Sequence, residues 1–281
     1  MAEGARCNLC GANQGFLVLE DAHVPYRVLK CRSCTLVFVH PQPPPNFLVS
    51  HYAPSYYEDW ERTQALSRAR MWNKRLKRIE RAHERGHILD VGCGDGVFLK
   101  MAQRQGWRID GTELSSYAAT HVSHHLGVPI YCGELYAAPY HHHTFDVVTI
   151  WHVLEHTRDP LAYLVKAREL LKPNGLLVLA VPNVHNIMMQ IAYRIVRRRK
   201  LELFSPDDRE LHLYHFSPQT ILSYLHQSGF ELVKLFPDFG IVDLRKQILN
   251  LIATMPYYLV GLKIFDAMEV WATPLLSGRL Q

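Results

Sequence analysis

No apolar run in this chain is long enough to cross a bilayer as an uninterrupted helix. The nearest, "ILNLIATMPYYLVGLKIF" from Ile248, is broken by Asn250, Pro256, Gly261 and Lys263. The opening "MAEGARCNLC" lacks the charged-then-apolar pattern of a secretion signal, so a cytoplasmic location is expected. Internal repeats are absent, and low complexity is confined to the prolines of "PQPPP", Pro41 to Pro45. Strong net charge is missing too. The excess of +5 selects no partner by itself. The one dense basic run, "RIVRRRK" from Arg194 to Lys200, reads as a solvated helix face, with a phosphate-bearing or lipid-headgroup partner as the sharper alternative.

Cysteine is scarce, six in 281 residues, yet four of the six are ordered. Cys7 and Cys10 form one C-x-x-C, and Cys31 and Cys34 form a second. Two such knuckles at this separation have the spacing of a tetrahedral zinc ribbon, because two intervening residues let one tight turn present both sulfurs. A reducing compartment disfavours the disulfide alternative. Four protein ligands leave no open coordination position, so the expected zinc is structural. It would staple a segment, residues 1–40, too small to hold itself with a core.

What the chain does have is a regular alternation. Residues 41–86 read as a linker and helical lid, rich in aromatics at "HYAPSYYEDW". From His87 short apolar runs alternate with helical patterns, which predicts a parallel sheet with crossover helices. The strands are "HILDVG", "WRIDGTE", "VPIYCG", "FDVVTIW", "LLVLAVP" and "FELVKLF". Asp159 and Pro160 open one helix and "KPNG" stops it; Ser217-Pro218 opens another, which Gly229 ends. The core is assigned to 87–240, with a helical insertion at about 184–216. Residues 241–281 read as an apolar helical tail.

"LDVGCGDG", Leu89 to Gly96, runs a strand through G-x-G-x-G into a helix, a turn that brings bare backbone against a ligand. Val97 stands where a dinucleotide fingerprint would place glycine. Glu113 ends the next strand, where a carboxylate can accept hydrogen bonds from both ribose hydroxyls of an adenosine moiety. Glu134, "WHVLEH" and Pro182-Asn183 follow the third, fourth and fifth strands. The unusual residues therefore collect where open parallel sheets bind ligands.

"ILDVGCGDG", Glu113, "FDVVTIWHVLEHTRDP", "LLKPNGLLVLAVPN" and "HLYHFSPQTILSYLHQSGF" resemble class I S-adenosylmethionine-dependent methyltransferases, in the branch that includes ubiquinone-biosynthesis O-methyltransferases. The paired C-x-x-C is similar to the ribbon of bacterial members that include sugar C-methyltransferases. The resemblance implies an α/β fold, a doubly wound, mostly parallel Rossmann-like sheet behind an N-terminal zinc ribbon. It implies that Gly92, Gly94 and Gly96 line the methionine part of the cofactor, that Asp90 orients its amino group and that Glu113 holds its ribose. Leu114, Glu134, Leu135 and Trp151 complete the expected cofactor contacts, with adenine near Glu134 and Leu135. Tyr52, Tyr56 and Tyr57 read as packing aromatics, with a lid over the site as the alternative.

Two readings compete for "WHVLEH". His152 or His156 sits beyond a strand tip, where one could act as a general base on a hydroxyl; direct involvement is expected of His152. The related O-methyltransferases carry E-x-x-E-H there as divalent-metal ligands. This chain has His152-x-x-Glu155-His156, with His212 or His215 available to complete a set. Imidazole in place of carboxylate favours ions softer than magnesium. An architectural role for Glu155 and His156 also stays open.

The resemblance implies a closing antiparallel hairpin, and no strand for it is legible in the tail. "LLSGRLQ" carries a central glycine, so the last strand is expected to be missing unless "GIVDL" or another segment fills its slot. The tail would pack on the core, on a second copy or on a membrane face. The expected activity is methyl transfer to a small-molecule or sugar acceptor at a hydroxyl oxygen. Sugar C-methylation, or a non-catalytic zinc and nucleic-acid-binding role on the same fold, remain the alternatives.

Overall fold

The computed structural model describes residues 4–198, 200–238 and 254–275. Three antiparallel strands come first, β1 (Phe16–His23), β2 (Tyr26–Cys31) and β3 (Val37–His40). Two helices follow, α1 (Pro45–Ser50) and the 29-residue α2 (Pro54–Ala82). Strand and helix then alternate through β4 (His87–Val91), α3 (Val97–Arg104), β5 (Arg108–Glu113), α4 (Ser116–Leu126) and β6 (Ile130–Cys132). The second half holds β7 (Phe145–Trp151), α5 (Pro160–Leu170), β8 (Leu171–Pro182), α6 (Ile187–Arg197), β9 (Tyr214–His215), α7 (Pro218–Gln227), β10 (Phe230–Pro237) and β11 (Ala267–Pro274).

All six strands read from the sequence are present, in a seven-stranded sheet of order β10-β11-β8-β7-β4-β5-β6. Strands β4 to β8 pair in parallel. Their apolar runs are continuous because both faces are covered. Alternate residues of β8 serve opposite sides: Leu177, Leu179 and Val181 join one core, Leu176, Val178 and Ala180 the other. The order reverses at β4, and at such a switch point the carboxyl ends of the strands open a crevice. Helix starts follow their signals. Asp159 caps α5 by accepting from the Ala162 amide, and Ser217 forms a capping box with Thr220 on α7.

The seventh strand corrects the expectation that the last strand is missing and that 241–281 is a helical tail. β11, "AMEVWATP", lies antiparallel between β8 and β10, pairing Glu269 with Ala180 and with Phe236. It was illegible because it is buried on both faces and so has no two-residue contrast. Its one acid, Glu269, is fully buried, where it accepts from Arg78 at 2.5 Å and from the Trp271 indole at 2.8 Å. Among the described residues of that tail, only 254–260 is helical. "GIVDL" and nearly all of "LLSGRLQ" lie outside the described residues.

The ribbon is joined to the core rather than tethered beside it. β3 pairs antiparallel with β9, Val37 opposite His215 and Phe38 opposite Tyr214. Leu29, Leu36 and Phe38 share one buried cluster with Leu213, Tyr214 and Phe216. The four sulfurs gather: Cys7 and Cys34 lie 3.4 Å apart, Cys10 and Cys31 3.6 Å, and all six cysteines are free of disulfides. A tetrahedron of Zn–S bonds near 2.3 Å needs sulfurs about 3.8 Å apart, so the cluster suits that ion. Residues 41–86 are more than a lid, because Trp72, Leu76 and Ile79 of α2 pack in the core of the large sheet. No described helix is long and apolar enough to cross a membrane.

Candidate functional site

A cavity of about 460 Å³ opens at the carboxyl ends of β4, β5, β6 and β7, flanked by α2 from Tyr56 to Arg75. That size falls within the usual range for small-ligand and cofactor sites. The glycine loop forms its floor. Gly92 has φ +69°, and a Cβ there would stand 2.5 Å from Val153 Cγ2; at Gly96, φ +70°, one would stand 2.6 Å from Val122 Cγ1. Neither turn tolerates a side chain.

Glu113 accepts from the Gly94 and Ser115 amides, each at 2.9 Å, and from the Tyr57 hydroxyl at 3.3 Å. Burial raises its pKa, and the two amides oppose that rise. Asp90, also buried, accepts from Thr149 Oγ1 at 2.7 Å. Burial pushes it up to about 7, with nearby Glu113 adding to the rise. Asp95, Glu134, Glu210 and Asp266 line the same cavity, which makes it acidic and suited to a cationic ligand. Glu134 accepts from the Tyr163 hydroxyl.

Because the folded-state pKa of Asp90 lies above its ordinary 3.8, the group favours the ligand-free fold most below about pH 4. That contribution fades as pH rises through about 7, on the order of 4 kcal/mol over the whole window. The melting temperature of the ligand-free protein is therefore expected to fall across pH 4–7, and Asp90→Asn to flatten the fall. An equally steep fall in the variant would count against the assignment.

His152 follows β7 with φ +54°, a left-handed conformation that turns its ring beneath the cavity. Its Nε2 stands 3.1 Å from Asp238 Oδ2, and its Nδ1 3.4 Å from Glu155 Oε1, too long for a good hydrogen bond. Burial alone would lower its pKa, but the two carboxylates outweigh burial and hold it at about 10. The ring is thus an imidazolium at neutral pH with both nitrogens facing acids. A ring protonated in this way has no lone pair for an incoming proton, which speaks against a resting general base. Asp238, just past β10, also receives Arg75 at 2.6 Å in a fully buried pair. The Arg75 guanidinium lies over the Trp151 and Trp72 rings, 4.3 and 4.9 Å from their centroids.

Beside this ladder lies a second grouping. Glu155 is buried, and neither carboxylate oxygen has a hydrogen-bond partner among the described residues. Burial would raise its pKa, yet His152, His156 and His212 around it bring it below the ordinary value. One ligand atom each from Glu155, His156 and His212 lie within 4.8 Å of one another. His156 Nδ1 bonds the Leu211 carbonyl at 2.9 Å, which leaves Nε2 for a metal. Burial lowers the His212 pKa to about 3, keeping it neutral as a ligand must be. A buried carboxylate and two imidazoles fit a divalent ion of the softer kind.

His212, not His215, joins that set. His215 is buried on β9, away from the cavity lining, and burial lowers its pKa to about 4. Of the expected cofactor residues, Asp90, Gly92, Gly94, Glu113, Leu114, Glu134 and Trp151 line the cavity. Gly96 supports the loop from beneath α3, and Leu135 is fully buried behind the lining. Tyr52, Tyr56 and Tyr57 pack edge to face, as packing aromatics would, and line the cavity.

Sequence reasoning missed Arg68, Arg75 and Asp238. The first two are one heptad apart on α2, and Arg68 meets Asp95 of the glycine loop at 2.7 Å. A basic and aromatic stripe, Arg68-Trp72-Arg75, was the available signal within the segment read as a helical lid. Asp238 carried the same signal as Glu113, an acid at the carboxyl end of a strand.

A family model described as a methyltransferase domain matches residues 61–235. A ubiquinone biosynthesis O-methyltransferase of Pseudoalteromonas translucida is 27% identical over 150 residues, 51% of this chain and 63% of that protein. The mitochondrial ubiquinone biosynthesis O-methyltransferase of Schizosaccharomyces pombe is 36% identical over 103 residues, 33% of this chain and 36% of that protein. Each match spans less than two thirds of the relative. Among solved structures, a SAM-dependent methyltransferase of Leishmania major superposes with a TM-score of 0.57 at 13% identity, covering 82% of both chains. At that identity the likeness shows the fold.

Proposed function

The chain belongs to the class I S-adenosylmethionine-dependent methyltransferases, and on that premise we propose that it methylates a hydroxyl oxygen of a small-molecule or sugar acceptor with the help of a divalent metal. The observation that carries this reading is the buried Glu155 carboxylate, which lacks a good hydrogen bond, grouped with His212 and with His156 of the cavity lining.

S-adenosylmethionine, when bound, supplies a sulfonium-activated methyl group, so the protein has mainly to align and prepare the nucleophile. Asp90 would face the cofactor's ammonium group, Glu113 its ribose hydroxyls, and the glycine loop its methionine chain. Glu155, His156 and His212 would hold a divalent ion, which would supply Lewis acidity toward an acceptor hydroxyl. His152 does neither task. Held by Asp238, which Arg75 holds in turn, it offers a fixed positive charge beside Glu155. The role we assign it is positioning that carboxylate.

The deciding experiment offers the purified protein labelled S-adenosylmethionine with catechol, sugar-hydroxyl and keto-sugar acceptors, with and without chelator. Label is expected on oxygen and to depend on added divalent metal. Label on carbon, with deuterium exchange at a C–H beside a keto group, would establish the C-methyl alternative instead.

We also propose that Cys7, Cys10, Cys31 and Cys34 hold a structural zinc. Cys31→Ser is expected to lose one equivalent of zinc and lower the melting temperature, because structural zinc binding is folding free energy. β3 would then hold β9 less firmly. The zinc proposal fails if the purified wild-type protein contains no metal and melts unchanged in chelator.

A further inference from the structure

Two segments carry apolar side chains that the fold leaves uncovered. On α6, Ile187, Ile191 and Ile195 repeat every fourth residue, so they share one face, and Ile195 is 73% exposed. In the stretch from 254 to 262, Tyr258, Leu259 and Val260 are 67%, 75% and 77% exposed, with Met255 and Leu262 exposed beside them. Soluble monomers seldom leave so many large apolar groups together in water.

The two segments are stapled at their bases. The Asn183 amide donates to the Asp266 carbonyl at 2.8 Å, and its side chain donates to the Lys263 and Phe265 carbonyls at 3.1 and 2.9 Å. Asn186, one residue before α6, donates to the Asp266 carboxylate. Asp266 also lines the cavity. The uncovered apolar groups thus rise from the rim of the site.

Charge decides what could cover them. Neither 183–200 nor 254–265 contains an acidic residue. Arg194, Arg198 and Lys200 are exposed, and Lys263 is half-buried. A second copy docking through a two-fold axis would set this basic patch against itself. An anionic surface would instead attract the basic groups while its interior received the apolar ones, the arrangement of interfacial helices.

We propose that α6 and residues 254–262 form a docking face for an anionic membrane surface, which brings the mouth of the cavity to acceptors held in that membrane. The docking itself does not depend on the methyl-transfer reading.

The test is sedimentation of the full-length protein with vesicles of phosphatidylcholine alone or with one third phosphatidylglycerol. Binding is expected only to the anionic vesicles and is expected to weaken steeply with added salt. Leu259→Glu and the pair Arg194→Glu with Arg198→Glu are each expected to reduce the bound fraction at least roughly tenfold. The thermal shift produced by S-adenosylmethionine, measured on the same variants, should persist. That control shows that they remain folded and separates failure of docking from failure of the cofactor site. Protein that stays in the supernatant at low salt, or binds both vesicle types equally, would overturn the proposal. So would a stable dimer that Leu259→Glu converts to a monomer without changing vesicle binding.

Discussion

Glu155→Ala is expected to reduce methyl transfer by roughly a thousandfold while leaving S-adenosylmethionine binding nearly unchanged. Glu155 does not line the cavity, so its removal should spare the cofactor contacts. What it takes away is the carboxylate grouped with two imidazoles, and with it the anionic ligand of the metal set. It also takes one of the two acids that keep His152 protonated. Calorimetric titration with manganese or zinc should show the variant binding one site fewer than wild type. If transfer by the wild-type protein proceeds at full rate in chelator, or if the variant keeps both metal and rate, the metal-assisted reading is wrong and Glu155 is architectural.

The second large effect falls on the cofactor. Glu113→Ala should weaken S-adenosylmethionine binding at least a hundredfold, since two charge-assisted hydrogen bonds are each worth about 1.5–3 kcal/mol. Ligand at a hundred times its dissociation constant stabilises wild type by about 2.7 kcal/mol, a rise of roughly 5–10 °C for a domain of this size. The variant should show almost none of it. Its ligand-free form will also melt lower, because the Gly94 and Ser115 amides lose their acceptor. Glu113→Gln keeps an acceptor for one amide and separates the two effects. A full ligand-induced shift in the alanine variant would place the ribose elsewhere.

How legible these residues were depended on the range of the forces that place them. Gly92 and Glu113 could be read from the chain because strand, tight turn and helix are local structures with local signals. Cys7 to Cys34 announced themselves through spacing alone. His152 could be located but not assigned, because its protonation state rests on Asp238, 86 residues away. Choosing His212 over His215 likewise needed the β3–β9 pairing, which fixes His215 in the ribbon sheet and leaves His212 beside His156.

By itself the sequence determined the class of fold, the positions of six strands, the cysteine cluster and the edge of the sheet where ligands bind. Each follows from periodicity, turn chemistry or ligand spacing within a few tens of residues. Only the tertiary structure decided that "AMEVWATP" closes the sheet. A strand buried on both faces has no alternation to betray it, and its acid is explained only by Arg78, far away on α2. It also decided that the conspicuous histidine stands between two acids and that one of them, Glu155, is buried beside two further histidines. Whether a buried group is charged, paired or free depends on neighbours that the chain supplies from distant segments.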